Sequence, residues 1–383
     1  MKTLPDNPDA DHLRRQAKDL LPGLRDSDPG AALSDAQASL AEQYGFRTWT
    51  DLKAEVDRRR GGGDVADPAL ARRIAARFGL GEVTGPMRSL SRPDEMGRRW
   101  SLTTDRGRWA ARTVDGVYPV TDGEENTRFQ EAALRAGVTL PVPVRGAKGA
   151  AVEVISGNRW RVYRWTHSGP PLAAPVSAAA TREVGRILAA LHGLRVPVDE
   201  VCPWNARPLG SVAELAREAV DRGVAWAAEL VDALPVLAEL ESVGEGGHRS
   251  DPVLCHNNLS PGNVVLGGGG RLVVTGWEHA GGLPPEWELA AALVSWAVNP
   301  GGGVNAAGAR ALVEGYGERA GAVPELEVGA FRGAAVGLVN YVVGQVRVVL
   351  RGGGGDGERG LRHLLGHLPC RGVYEEVLGV LGG

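Results

Sequence analysis

Apolar residues recur at helical spacing toward both ends of the chain and fall into short β-branched runs in between. Leu13, Ala17, Leu20 and Leu21 lie three or four apart, which predicts a helix over 11–21 stopped by Pro22-Gly23. Ser34 followed by Gln37 reads as a capping box opening a second helix that ends near Gly45. Thr48 is positioned to cap a third, with Leu52 and Val56 on one face. Residues 1–60 are thus expected to form an all-helical module, and 61–67, with consecutive glycines, a linker. Tyr44, Phe46 and Trp49 either close this small core or offer a docking patch for a protein partner.

The middle of the chain changes period. After a helix from Pro68 to Phe78, residues 98–104 and 108–114 flank Asp105-Arg106-Gly107 as a hairpin rich in Trp, Thr and Val. A helix is expected over 124–136, then strands at 150–155 and 159–165. Beyond Gly169-Pro170-Pro171 helical spacing resumes at 176–194, 212–221 and 225–240, and again at 287–298, 306–320, 328–350 and 358–368. Between these two helical blocks, Val264–Leu266 and Leu272–Thr275 are β-branched runs joined by four glycines, a second hairpin signal.

Composition adds exclusions. A length of 383 residues exceeds one typical core, so two or three modules are expected. Net charge of −3 gives no reason to expect a nucleic acid or a membrane surface as partner. The three cysteines, Cys202, Cys255 and Cys370, form no paired framework, which suits a reducing cytosol. No apolar leader opens the chain, and the apolar run at 333–344 contains Asn340 and is bounded by Arg332 and Arg347. A buried helix is expected there rather than a membrane span, and the localisation expected is cytoplasmic.

The stretch L-C-H-N-N-L-S-P-G-N-V-V-L, followed by R-L-V-V-T-G-W-E-H, resembles the catalytic and metal-binding segments of the aminoglycoside phosphotransferase family, relatives of protein kinases. There the pattern is H-x-D-x-x-x-x-N, a hairpin, and an apolar strand ending in Asp. The resemblance implies an α+β, protein-kinase-like two-lobe fold behind the helical module. Its small mixed β/α N-lobe would span 68–168 and its mostly helical C-lobe 169–383. It also implies Arg112 in the place of the strand lysine that meets ATP phosphates, Glu131 as its helix partner, and a hinge at 165–168 beginning with Trp165. Asn263 would be the loop residue facing the metal, and ATP with Mg²⁺ the expected cofactors. Acidic residues on 212–240 would hold substrate in relatives that take polycationic sugars; on composition alone they are a solvated face. His192 and Glu288, the latter in L-P-P-E-W-E-L-A, are expected to support the fold.

Two departures from the family pattern carry chemistry. The loop Asp is Asn258 here, and the strand-end Asp is Gly276. An amide does not accept a proton at neutral pH, and loss of a general base costs ~10²–10⁴ in rate. Mg²⁺ prefers one or two carboxylates plus phosphates, so no metal ligand set is expected. The reading favoured is a small-molecule or nucleotide binder that has lost phosphotransfer. Strand alternation would set Glu278 on the side of Gly276, and Glu278 with His256 would then be available for acid–base work in a repurposed interlobe cleft, such as an isomerisation or cyclisation. An active phosphotransferase with substitute ligands is the third reading.

Overall fold

The computed structural model describes residues 10–27, 30–44, 46, 48–59, 65–90, 99–114, 122–166, 168–174, 176–244, 249–299, 302–351 and 355–382. Its elements in chain order begin with helices α1 (Ala10–Ser27), α2 (Leu33–Gln43), α3 (Trp49–Arg59) and α4 (Pro68–Arg77). Strands β1 (Arg88–Ser89), β2 (Arg99–Thr104) and β3 (Gly107–Thr113) precede helix α5 (Gly123–Arg135). Next come β4 (Pro143–Val144), β5 (Glu153–Ile155), β6 (Asn158–Arg164) and β7 (Ser168–Pro171). Helices α6 (Ala178–His192), α7 (Pro203–Ala206), α8 (Val212–Asp221) and α9 (Ala227–Ser242) follow. Four short strands then alternate with turns: β8 (Val253–Cys255), β9 (Val264–Gly267), β10 (Leu272–Val274) and β11 (Gly281–Leu283). The chain continues through α10 (Pro285–Ala297), α11 (Ala306–Ala320), α12 (Arg332–Leu350), α13 (Gly355–Leu365) and α14 (Arg371–Gly382).

These elements fall into two compact units. The first comprises 1–134, 139–172 and 264–278, and the second 135–138, 173–263 and 279–383. The boundary therefore differs from the sequence expectation at 168/169. Strand β9 pairs antiparallel with β7, which carries the β9–β10 hairpin into the first unit. The same pairing makes Ser168, the last residue of the expected 165–168 hinge, the first of a strand; residue 167 lies outside the described residues, as do 61–64 of the linker.

Within the first unit the front module has its own core of Leu13, Ala17, Leu40, Leu52 and Val56, on which Phe46 and Trp49 pack. Helix α1 does not stop at Pro22 but runs on to Ser27. Pro22 lacks only the N–H that would reach the Lys18 carbonyl, and one lost bond does not end a helix whose Leu13–Ala17 face is buried. Asp35, rather than Ser34, caps α2, its carboxylate accepting the Ala32 N–H at 2.7 Å. Thr48 caps α3 as its position suggests, its Oγ1 accepting the Asp51 N–H at 3.1 Å.

The main sheet of this unit has order β1-β2-β3-β6-β4, with β5 on β6. Alternation assigns its two faces. Trp100, Leu102, Trp109, Ala111, Trp160 and Val162 form one buried face with Ala71, Ile74 and Ala75 of α4. On the opposite face Arg112 of β3 stands in register between Arg99 of β2 and Arg161 of β6.

The second unit is mostly helical. Helices α6 and α11 meet at glycine: a Cβ on Gly185 would sit 2.0 Å from the Leu312 carbonyl oxygen, and one on Gly315 2.0 Å from that of Arg182. Helix α12 buries Val336, Val339, Val342 and Val346, and its buried Asn340 donates to the Trp204 and Arg207 carbonyls while accepting the Leu209 N–H. Among the described residues Val328–Leu350 is the one helical stretch long and apolar enough to cross a membrane, and half of its apolar window is buried. The buried valine face and the tethered Asn340 are those of a packed core helix. Helix α14 was not legible, because Gly372, Gly379 and Gly382 dilute its helical period.

Gly315→Ala should destabilise the protein by ~1–3 kcal/mol through overpacking against α6, despite alanine's better helix propensity. Gly360→Ala in α13, where an added Cβ meets nothing within 4 Å, should be neutral or stabilising. Urea midpoints of the two variants check this.

Candidate functional site

The residues singled out by sequence fall into two constellations, one in each unit. In the first, Arg112 Nη2 lies 2.8 Å from Glu278 Oε1, with the two side chains 16% and 22% exposed. Glu278 reaches this position because β10 ends at Val274, Gly276 adopts φ +79° and Trp277–His279 form a 3₁₀ turn. The extended alternation expected for Gly276 and Glu278 is therefore broken.

Glu131, expected to meet Arg112, faces elsewhere. It is held bidentately by Arg145, at 2.7 and 3.1 Å, and the same guanidinium binds Glu124 at 2.7 Å. Arg145 is raised above the usual arginine value by these two carboxylates, Glu131 first, and Glu124 is lowered by its bond to Arg145. The inner face of α5 instead presents the buried amides Asn126 and Gln130. Asn126 Oδ1 accepts from Arg161 at 2.8 Å and from Gln130 at 2.6 Å, while its Nδ2 donates to the Trp277 carbonyl at 2.7 Å. Helix α5 is thereby fastened to the turn that carries Glu278. Sequence reading missed Arg161, Asn126 and Gln130; the i, i+4 spacing of the two amides was the available signal. Trp165, just past β6, is stacked under Arg108, whose Cζ lies 3.7 Å from its ring centre.

The second constellation is the loop after β8. His256 is fully buried, and its Nδ1 accepts the Asn258 N–H at 3.3 Å. Asn263 Nδ2 donates to the Asn258 carbonyl at 2.9 Å, and Ser260 Oγ to Asn258 Oδ1 at 3.4 Å. Asn257 between them has φ +63°, the left-handed region that asparagine tolerates better than most residues. His256, Asn258 and Asn263 are thus brought together, with His256 serving the loop backbone and exposing no surface to a ligand.

Beneath the loop lies a buried polar chain. Glu288 of α10 accepts the Asn257 N–H at 2.6 Å and bonds His192 Nε2 at 2.8 Å, and His192 Nδ1 meets the Tyr316 hydroxyl at 3.0 Å. Burial alone would raise Glu288, but the His192 hydrogen bond and charge, with His256 and the Asn257 N–H, bring it below the ordinary value of 4.5. Cys255 is pushed well up by burial and by the Glu288 charge. His192, Cys255 and Glu288 offer donor atoms within 4.8 Å of one another, but Glu288 and His192 bond directly, so the cluster works as an anchor for the loop.

A family model described as the phosphotransferase enzyme family, abbreviated APH, matches residues 92–322, well over half of the chain. The chain belongs to that family. Among solved structures, a spectinomycin phosphotransferase in complex with ADP and spectinomycin aligns with TM-score 0.58 at 12% identity, over 83% of this chain and 98% of its own. An AMP-bound structure of that enzyme gives 0.59 at 14% identity, over 81% and 97%. An amicoumacin kinase with AMP-PNP and Ca²⁺ gives 0.54 at 13%, over 85% and 96%. At these identities the likeness is one of fold, and the fold is the α+β, kinase-like one. No curated protein matches the chain. Asn258 and Gly276 carry no carboxylate, and the acid in the turn after β10, Glu278, is bonded to Arg112.

The buried anchor gives a pH dependence. Glu288 has a folded-state value below its unfolded one, so it contributes stability above about pH 4.5, lost as pH falls through the lower folded value. Glu288→Gln should flatten this part of the acid limb of a stability-against-pH curve, read by urea unfolding between neutral pH and pH 3. An unchanged slope would contradict the assignment.

Proposed function

We propose that this family member is a pseudokinase-like binder of a small molecule or nucleotide that does not transfer phosphate. The observation carrying this reading is the engagement of Glu278 with Arg112 in a chain with no carboxylate at 258 or 276. Phosphoryl transfer asks the protein for positioning and charge neutralisation rather than covalent chemistry. Its two usual carboxylates orient the acceptor hydroxyl and hold Mg²⁺. Here an amide stands in the first position, and the second has no side chain. At the remaining family metal position, Asn263, the Nδ2 donates to the Asn258 carbonyl and only the neutral amide Oδ1 could meet a metal. A neutral amide is a poor substitute for the hard anionic oxygens that Mg²⁺ selects. The residues present therefore do not fit the metal.

Repurposed acid–base catalysis by His256 and Glu278 is the weaker reading. The first is fully buried against its own loop, and the second is ion-paired. The spacing of three cysteines and the lack of charge bias favour a cytoplasmic setting for the binder.

Wild-type protein incubated with γ-labelled ATP and Mg²⁺ should label no acceptor and release no phosphate above background. Asn258→Asp with Gly276→Asp should confer a Mg²⁺-dependent thermal shift with ATP. Gly276 already holds a left-handed φ, where aspartate is among the better tolerated residues, so strain should stay within about 1–2 kcal/mol. Phosphate transfer by the wild-type chain would overturn the reading.

A further inference from the structure

His363, in the last turn of α13, and His367, just past its end, are both exposed. A spacing of four residues sets two side chains over one another on one side of a helical turn. The two rings lie together accordingly, with centroids 4.2 Å apart and an interplanar angle of 36°. His367 Nδ1 is 2.7 Å from the His363 carbonyl oxygen. A carbonyl only accepts, so Nδ1 carries the proton in this bond, and the neutral ring keeps its lone pair on Nε2. Metal-ligating histidines commonly donate their other ring N–H to a carbonyl in this way, which fixes tautomer and orientation. The His363 ring itself makes no hydrogen bond among the described residues.

The surroundings suit a cation. Terminal carbonyls give the C-terminal end of a helix partial negative charge. The adjacent Arg362 is engaged by Glu229 at 2.7 Å and by Glu358 at 3.1 Å, which offsets its repulsion. The buried His192–Cys255–Glu288 group differs, because both ring nitrogens of His192 are already used, by Glu288 and by Tyr316.

We propose that His363 and His367 form a surface site for a divalent ion of the copper, nickel and zinc group. Two neutral imidazoles are its protein ligands. Among the described residues no third His, Cys, Asp or Glu donor closes on the pair, so water fills the remaining positions. Imidazole suits these ions, whereas Mg²⁺ and Mn²⁺ take oxygen ligands and bind nitrogen weakly. The site is therefore separate from the Mg²⁺ chemistry discussed above and does not rest on that reading. A bound ion would clamp the last turn of α13 to the segment that leads into α14.

The test is calorimetric titration of the untagged full chain with zinc chloride, and separately with magnesium chloride, in a non-coordinating buffer at neutral pH. Zn²⁺ should bind one to one, and Mg²⁺ should not bind. His363→Ala and His367→Ala should each weaken Zn²⁺ binding by about tenfold or more, because each removes a ligand. Both side chains are exposed, so neither change threatens the fold. The exposed thiol three residues beyond His367 is the nearest alternative ligand in sequence, and Cys370→Ser should change the affinity by less than about twofold. No Zn²⁺ binding by wild type would overturn the proposal. Undiminished binding in the doubly substituted His363→Ala, His367→Ala chain would also overturn it, by placing the ion elsewhere, and loss of binding in Cys370→Ser would overturn the two-imidazole ligand set.

Discussion

The Arg112–Glu278 ion pair is the interaction on which the character of the first unit turns. It is a pair between a strand and a 3₁₀ turn, only partly shielded from water, and its worth as stabilisation is modest. Its consequence is chemical. The Arg112 guanidinium of β3 is met by a carboxylate from the turn rather than from the helix. Glu278, the acid in the turn after β10, is turned toward a cation, and Glu131, the acid expected to meet Arg112, is held by Arg145.

In the second unit the interaction that matters lies beneath the loop after β8. Glu288, His192 and Tyr316 form a buried chain that fixes the loop backbone through the Asn257 N–H, while Trp296 donates to the Leu259 carbonyl from α10. Such a chain is costly to desolvate and tolerable only when each link is bonded. It holds Asn258 in place whatever chemistry Asn258 performs.

Much of the architecture was legible because it is periodic. The helical spacing over 306–320, the hairpin at Asp105-Arg106-Gly107 and the second hairpin at the four glycines all reappear as elements. Local signals at ends were less secure, as Pro22 and Ser34 show: a proline inside a packed helix and an aspartate one residue beyond the serine each changed a boundary. The partners of charged side chains were the least legible. Glu131 lies on an expected helix and Glu278 just past an expected strand, and which one meets Arg112 depends on a positive-φ glycine and a single 3₁₀ turn. The alignment of Arg112 between Arg99 and Arg161 was invisible for the same reason, since register across β2, β3 and β6 is a tertiary property.

Whether the protein holds a divalent ion beside a nucleotide is the most direct question left by this arrangement. Electron paramagnetic resonance of Mn²⁺, titrated with the protein in the presence of AMP-PNP, answers it without relying on turnover. The protein should leave the spectrum of the manganese–nucleotide mixture unchanged at concentrations that saturate any nucleotide site. Loss of the free Mn²⁺ signal at one ion per chain would contradict it.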